Sequence, residues 1–302
     1  MQPVTEPWCV VLASRENPLQ PRSTTQERIM AQQPALSRCD PLTATLRRAE
    51  TVTSLERIAA VIAAPIEHWR GSSLCKLDAR NLFVQPKHQG TAYEVLLALL
   101  LLERRVSAET TVLFLPADHV VTDEEVMKNS LVTMAEWIGE EPGPVYLLGA
   151  VPQGPHDQLG YIVPWHDAML MPSGVYEFVE RPELPLARRL INAGGLWNTF
   201  IFGGSIAALL KLFSPNFDAT IAALRAALQS ERVESDLARA FDRLTPADFS
   251  EDLLAKQIDN LKVLRLLRCG WWPLKSPTLP STALGGSTAR DDTSDREQEQ
   301  LD

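Results

Sequence analysis

An acidic residue and a histidine follow an apolar run in the middle of the chain. Residues 112–115 read Val-Leu-Phe-Leu, and Pro116, Ala117, Asp118 and His119 come next. A continuous apolar run bounded by a proline is typical of a buried parallel strand. Open α/β sheets bind ligands just beyond the carboxyl ends of such strands, so Asp118 is a candidate for contact with a metal ion or a polar substrate. The spacing alone favours a simpler role, a carboxylate that stabilises its own loop.

The residues after this loop predict the start of a helix. Thr122 and Glu125 have the spacing of a capping box, with Thr122 as the N-cap and Glu125 at the third helical position. The apolar residues that follow fall on one side of this helix, which extends to about Ile138: Val126, Leu131, Met134 and Ala135.

Strands and helices alternate along most of the chain. The sequence predicts strands at 8–13, 58–62, 82–84, 112–115, 145–149, 199–202 and 261–267, and helices at 41–49, 91–105, 183–193, 206–213, 218–228 and 231–244. Strands at 160–163 and 175–179 are predicted to form an inserted pair. The alternation at βαβ spacing predicts an α/β fold with a mostly parallel, doubly wound sheet.

Composition divides the chain into one globular region and two loose ends. The 302 residues are 45% apolar and 22% charged, which is ordinary for a globular protein. Residues 1–7 are predicted to be a loose end and 8–274 the domain. Residues 275–302 are predicted to be a disordered tail, because their Ser, Thr, Pro and charged residues bury little apolar surface.

Charge, cysteine spacing and hydropathy exclude several classes of protein. A net charge of −9 argues against a nucleic-acid-binding surface, although it leaves room for a local phosphate pocket. The four cysteines are widely spaced, which fits neither a disulfide framework nor a zinc site. The longest apolar run, 95–102, is far short of the ~20 residues that a membrane span needs. We therefore expect a cytoplasmic protein without membrane or nucleic-acid partners.

Five short motifs occur along the chain in a recognisable order. They are Gln85-Pro86 with Gly90-Thr91-Ala92, residues 115–119, Gly160-Tyr161-Ile162, residues 178–182 and residues 196–199. Over residues 8–275 they resemble the sugar-1-phosphate nucleotidyltransferase family, most of all its mannose-1-phosphate guanylyltransferase branch. Each motif is weak alone, but their shared order favours the fold of that family. The resemblance implies a Rossmann-like sheet of the nucleotide-diphospho-sugar transferase type.

The resemblance also implies a reaction and a set of site residues. In this family a sugar 1-phosphate attacks a nucleoside triphosphate, giving a nucleoside-diphosphate sugar and pyrophosphate, with Mg²⁺ offsetting the negative charge. Asp118 resembles the catalytic, metal-binding aspartate. The implied nucleotide-binding residues are Gly90, Thr91 and Ala117, and the implied sugar-binding residues are Gly160, Glu180, Arg181 and Asn198. Arg181 stands where the family usually has a lysine, and the two cations are not equivalent.

Each of these residues also has a simpler interpretation. Glu180 fits a solvated strand end, Gly160 a bulge and Asn198 a turn former. Taken singly, these alternatives are at least as good as the functional ones. Taken in order along the chain, the motifs favour a shared site.

The chain departs from the family at two places. The family has a glycine-rich phosphate loop after its first strand, whereas residues 13–21 here contain no glycine and include Glu16. Arg15 and Arg22 are the candidate replacements for the lost phosphate-binding groups. At the other end, Pro273 stands where the family has a second metal-binding aspartate, and a proline cannot ligate Mg²⁺.

These departures leave three hypotheses open. In the first, the chain is a divergent nucleotidyltransferase that uses Arg15 or Arg22. In the second, it is a non-catalytic homologue that binds a sugar nucleotide. In the third, it is a structural remnant of the fold. The motifs favour the first two. The implied ligands are a nucleoside triphosphate and a sugar 1-phosphate, or the product sugar nucleotide. The protein partners considered are a second copy of the chain and, for a pseudoenzyme, an active paralogue that it regulates.

Overall fold

The computed structural model describes residues 6–13, 40–69, 71–169 and 171–274. Three predicted features therefore lie wholly or partly outside the described residues: the loose end 1–7, the glycine-free loop with Arg15 and Arg22, and the tail 275–302. The described strands are β1 (Trp8–Leu12), β2 (Ile58–Ala63), β3 (Leu82–Gln85), β4 (Thr111–Pro116), β5 (His119–Val120), β6 (Val145–Ala150), β7 (Tyr161–Pro164), β8 (Ser173–Val179), β9 (Leu196–Ser205), β10 (Leu261–Leu266) and β11 (Trp272–Pro273).

The helices match the predicted segments closely. They are α1 (Pro41–Glu50), α2 (Thr91–Leu102), α3 (Glu124–Glu140), α4 (Leu184–Asn192), α5 (Ile206–Lys211), α6 (Asp218–Gln229), α7 (Val233–Asp242) and the short α8 (Phe249–Asp252). Helix α8 has no counterpart in the sequence prediction. No helix in the described ranges is long and apolar enough to cross a membrane.

Nine strands form one sheet, in the order β3-β2-β1-β4-β9-β6-β10-β8-β7, and β7 also pairs with β9. Strands β1 to β4, β6, β7 and β10 run in one direction, whereas β8 and β9 run in the other. The sheet is therefore mixed. The prediction of a mostly parallel sheet missed the antiparallel β9 in its centre, because an apolar run does not encode the direction of a strand.

The hydrophobic core forms a layer on each face of the sheet. Alternate residues of a strand point to opposite faces, so Val10 and Phe114 lie in one layer and Val11 and Leu115 in the other. Helices α2, α5, α6, α7 and α8 cover the first face, and α1, α3 and α4 cover the second. Helices on both faces leave the strand ends as the place where polar residues converge.

The helix after Asp118 begins one residue later than the capping-box pattern predicts. The N-cap of α3 is Asp123, whose carboxylate accepts a hydrogen bond from Val126 N–H at 3.1 Å. Thr122 instead donates from its hydroxyl to the carbonyl of Cys269 at 3.1 Å. That bond ties the loop to the segment before β11, so a contact between distant residues decides which side chain caps the helix.

The turn before α2 requires a glycine. Gly90 is the N-cap of α2 and has a φ of +101°. A Cβ atom at this position would lie 2.0 Å from the carbonyl oxygen of Ala247. Any side chain would therefore force two backbone segments apart.

We predict that Gly90→Ala lowers the free energy of unfolding by ~1–3 kcal/mol, because the new Cβ meets backbone in a conformation that alanine rarely adopts. Urea unfolding measures the effect. The control is Gly143→Ala, since a Cβ at Gly143 meets nothing within 4 Å, and we expect it to change stability by less than about 0.5 kcal/mol. Equal stabilities of the two variants would contradict the packing described for Gly90.

Candidate active site

Four strand ends meet at one place and form a cleft. Strand β4 runs into Asp118 at its carboxyl end, and β8 runs into Glu180. The amino ends of β7 and β9 lie beside them, because Tyr161 pairs with both Val179 and Trp197. The backbone N–H of Asn198 also donates to the carbonyl of Gly160 at 2.8 Å. Asp118, Gly160, Glu180 and Asn198 all line this cleft.

The cleft has a volume of about 160 Å³ and collects most of the predicted site residues. Six of those residues line it: Thr91, Asp118, Gly160, Glu180, Arg181 and Asn198. Gly90 and Ala117 lie outside this lining, so their contact with a nucleotide stays a prediction. Arg15 and Arg22 fall outside the described residues. Leu12, at the carboxyl end of β1, also lines the cleft. It lies one residue before the end of the first described range, 6–13.

Gly160 is packed against the carboxylate of Glu180. A Cβ atom on Gly160 would lie 2.4 Å from Glu180 Oε2 and 3.3 Å from the Cβ of Asn198. The side chain of Glu180 is 12% exposed, so it has little room to move away. The absence of a side chain at Gly160 therefore sets the position of the Glu180 carboxylate at the cleft wall.

Asn198 is held by two hydrogen bonds of its side chain. Its Nδ2 donates to Ser250 Oγ at 3.2 Å, and its Oδ1 accepts from the backbone N–H of Phe200 at 3.0 Å. Phe200 has a φ of +58°, which is uncommon for a bulky residue. The Asn198 amide thus supports a strained turn of backbone that also lines the cleft. Strain of this kind clusters at functional sites.

Arg181 is the one arginine or lysine among the described residues that line the cleft. Its Nε lies 3.4 Å from Glu180 Oε1 and its Nη2 lies 3.6 Å from Asp248 Oδ2. Asp248 also caps α8, accepting from the N–H groups of Ser250 and Glu251. The Arg181 side chain is about half exposed. Ion pairs at such exposure contribute little stability, so the guanidinium is well placed to exchange partners for a bound phosphate.

Asp118 lies beside a histidine whose tautomer is fixed by a tryptophan. Trp271 Nε1–H donates to His119 Nδ1 at 3.1 Å, so we assign the proton of the neutral ring to Nε2. His119 Nε2 lies 3.5 Å from Asp118 Oδ1. The buried imidazole therefore presents its N–H on the side of the Asp118 carboxylate.

The structure places Pro273 next to this pair. Pro273 is the register partner of His119 in the short β5–β11 ladder, and Leu274 N–H donates to the Asp118 carbonyl at 2.9 Å. The position that carries a second carboxylate in the family motif thus lies beside Asp118. The described part of the chain contains no group of three or more His, Cys, Asp or Glu residues arranged to hold a metal ion.

Thr91 has a structural role at the cleft edge. Its Oγ1 accepts a hydrogen bond from Phe249 N–H at 2.8 Å, which joins the start of α2 to α8. The hydroxyl keeps its own proton to donate. Thr91 therefore combines the packing role with an available donor.

Several lining residues were missed by sequence reasoning. They are Glu94, His156, Phe200, Asp248, Ser250 and Trp271. Burial lowers the pKa of His156 from its ordinary value, and its Nδ1 accepts from Gln158 N–H at 3.1 Å. His156 is therefore a neutral ring at pH 7. Only Glu94 carried a signal in the sequence, as a single charge in an otherwise apolar helical segment.

Thiol chemistry is not available from the buried cysteines. Burial raises the pKa of the Cys269 thiol to about 11 and that of Cys9 to about 12. A thiolate is the reactive form of cysteine, so neither residue is a nucleophile at neutral pH. The cleft chemistry is that of carboxylates, amides, imidazoles and one guanidinium.

Comparison with known proteins identifies the family. Residues 67–240 match the model of the nucleotidyl transferase family, which is more than half of the chain. The chain belongs to this family. The matched range includes Asp118, Gly160, Glu180 and Asn198, and most of the other residues that line the cleft.

Curated relatives are about a third identical or less to this chain over the matched region. The alginate biosynthesis protein AlgA of Pseudomonas putida is 32% identical over 131 residues, which is 42% of this chain and 26% of the relative. A mannose-1-phosphate guanylyltransferase of Sinorhizobium fredii is 26% identical over 172 residues, which is 57% of this chain and 32% of the relative. The matched region thus spans about a quarter to a third of the length of these curated relatives.

Solved structures show the same fold. A mannose-1-phosphate geranyltransferase from Thermus thermophilus superposes with a TM-score of 0.70 at 24% identity, over 89% of this chain and 76% of that one. A mannose-6-phosphate isomerase from Helicobacter pylori gives 0.62 at 15% identity, over 89% and 100% of the two chains. The chain therefore shares its mixed α/β fold with these two proteins.

We predict that His119 is a neutral ring with its proton on Nε2, and that Trp271→Phe removes the bond that fixes this tautomer. The loss removes a hydrogen bond to a buried ring nitrogen, so we expect ~1–3 kcal/mol of destabilisation. Nitrogen chemical shifts of the ring and urea unfolding measure the two effects. Trp165→Phe is the control, since Trp165 is 66% exposed. A wild-type spectrum with the proton on Nδ1 would overturn the assignment.

Proposed function

We propose that the cleft binds a nucleoside-diphosphate sugar and supports its formation from a sugar 1-phosphate and a nucleoside triphosphate. The observation that carries the proposal is the convergence of Asp118, Gly160, Glu180 and Asn198 on one cleft at the strand ends. Membership of the nucleotidyl transferase family supports the reaction class. The mannose-1-phosphate guanylyltransferases among the relatives favour mannose and guanine as sugar and base.

The chemistry of the described side chains suits the sugar end of such a ligand. The Glu180 carboxylate accepts hydrogen bonds from hydroxyl groups, and the Asn198 amide supplies both a donor and an acceptor. The lack of a side chain at Gly160 leaves room for the Glu180 carboxylate at the cleft wall, where a sugar hydroxyl can reach it. Arg181 offers a planar cation to the sugar phosphate.

The proposed reaction is an in-line displacement. An oxygen of the sugar phosphate attacks the α-phosphorus of the triphosphate, and the bond between that phosphorus and the bridging oxygen to the β-phosphate breaks. The electron pair leaves with pyrophosphate. In a reaction of this kind the protein contributes mainly by positioning the two substrates and stabilising charge.

Mg²⁺ is the proposed cofactor, and the residues fit it only in part. Asp118 is 24% exposed and supplies one carboxylate, which is enough for an ion that is also held by substrate phosphates. When bound, Mg²⁺ offsets the negative charge that collects on the phosphate oxygens. Pro273 supplies no second carboxylate beside Asp118. We therefore expect weak metal binding and slow turnover.

A second candidate function follows from the same residues. Among the described residues, four carboxylates line the cleft (Glu94, Asp118, Glu180 and Asp248) against the single guanidinium of Arg181. This balance opposes a nucleoside triphosphate more strongly than the less charged product sugar nucleotide. A non-catalytic protein that binds the sugar nucleotide, and regulates an active paralogue or pairs with a second copy of itself, is the alternative. We place either form in a reducing cytoplasm, since the described cysteines 9, 75 and 269 are free thiols.

We predict slow pyrophosphate release when the protein is incubated with GTP, Mg²⁺ and mannose 1-phosphate, and no release from the Asp118→Asn variant. The substitution removes the metal-binding charge at nearly constant volume. A coupled phosphate assay measures the rate. Release that is equal in both proteins would contradict the role of Asp118.

Thermal stabilisation by GDP-mannose separates the two functions. Stabilisation together with release supports the enzyme, and stabilisation without release supports the non-catalytic binder. The absence of both signals would overturn the proposal. UDP-glucose and ADP-glucose serve as controls for the sugar and the base.

We predict that Gly160→Ala weakens the binding of GDP-mannose by about tenfold or more, which is ~1.4 kcal/mol. The new Cβ lies within van der Waals radii of the Glu180 carboxylate and displaces it. Calorimetric titration measures the dissociation constant. Gly154→Ala is the matched control, because a Cβ at Gly154 meets nothing within 4 Å. Equal affinities of the two variants would contradict a sugar subsite at Gly160.

A further inference from the structure

Helix α2 contains one charged residue in an apolar setting. Eleven of its twelve residues are buried, and Glu94 is one of them. The side chain of Glu94 is 3% exposed, although it lines the cleft. A buried carboxylate is costly unless it is paired or hydrogen-bonded, so its presence in this helix needs an explanation.

The described residues satisfy this carboxylate only in part. Glu94 Oε1 lies 3.1 Å from Nδ1 of His88, a side chain that is 47% exposed. Within the described ranges the same oxygen accepts no hydrogen bond of good geometry. A carboxylate has about four acceptor positions on its two oxygens. Glu94 Oε1 therefore keeps acceptor capacity that no described residue satisfies, at a side chain that lines the cleft.

Glu94 lies one helical turn after Thr91, a residue that the resemblance implies to be nucleotide-binding. Thr91 and Glu94 are three residues apart in α2, so they lie on the same face of the helix, and both line the cleft. A carboxylate in the first turn of a helix also interacts favourably with the helix dipole. That effect does not require burial, and it leaves the contact with the cleft unexplained.

We propose that Glu94 recognises the base of the bound nucleotide by accepting two adjacent N–H groups. This inference rests on the proposed function, which places a nucleotide in the cleft. Guanine presents an imide N–H and an amino group side by side on its Watson–Crick edge, and two carboxylate oxygens match that pair. Adenine and cytosine present an acceptor next to their amino group, and uracil presents one N–H between two acceptors. Glu94 therefore selects guanine over the other bases.

The test compares nucleotides that differ by one group. Inosine diphosphate lacks only the amino group of guanosine diphosphate, so we expect the wild-type protein to bind GDP about tenfold or more tighter than IDP. In Glu94→Gln one acceptor becomes an amide donor, and we expect the ratio of the two affinities to fall towards one. Calorimetric titration with GDP, IDP and ADP measures each ratio within a single protein. Glu109→Gln, at an exposed position, is the isosteric control.

The outcomes separate this inference from the proposed function. A high GDP-to-IDP ratio in the wild type and the control, lost in Glu94→Gln, supports base recognition by Glu94. GDP-mannose binding with equal affinities for GDP and IDP in the wild type overturns the inference alone, and it requires no variant. A ratio that is unchanged in Glu94→Gln also overturns it. Failure of GDP-mannose to bind overturns the proposed function and the inference with it.

Discussion

The reversed strand β9 is the constraint on which the cleft depends. It lies between β4 and β6 and runs antiparallel to both. Because of this direction, its amino end lies beside the carboxyl end of β4. A parallel strand in the same place would carry Asn198 to the opposite edge of the sheet. The meeting of Asn198 with Asp118 and Glu180 is therefore a consequence of strand direction.

The cleft wall is built from backbone in uncommon conformations. Phe200 and Arg181 both have positive φ values, of +58° and +46°. The Asn198 side chain supports the first by accepting the Phe200 N–H. Strain of this order, ~1–3 kcal/mol per residue, persists only where surrounding contacts enforce it. Its location at the cleft agrees with a binding role for this region.

The sequence predicted the elements better than their arrangement. The apolar run at 112–115 and the helix after Gly90 appear as β4 and α2 because their patterns are local. Strand direction, the shift of the α3 N-cap to Asp123 and the contact of Arg181 with Asp248 depend on residues far apart in the chain. No local pattern encodes them.

The sequence predicted some residues of the candidate site and missed others. The family motifs predicted that Asp118, Gly160, Glu180 and Asn198 share one site. The structure places all four in the lining of one cleft. His119 and Trp271 are joined only because β5 and β11 pair, and Asp248 enters through the unpredicted α8. Glu94 was visible as a lone charge in an apolar helix, but only the fold shows that it reaches the cleft.

The two ends of the candidate site differ in the polar side chains that they supply. The proposed sugar end has Glu180, Arg181 and Asn198 among the described residues, whereas the proposed metal end has Asp118 with Pro273 beside it. The most direct measurement is a crystal structure with GDP-mannose and Mg²⁺. We predict that the hexose lies over Gly160 and that its hydroxyl groups are hydrogen-bonded to Glu180 and Asn198. A sugar nucleotide bound elsewhere on the protein, with this cleft empty, would contradict it.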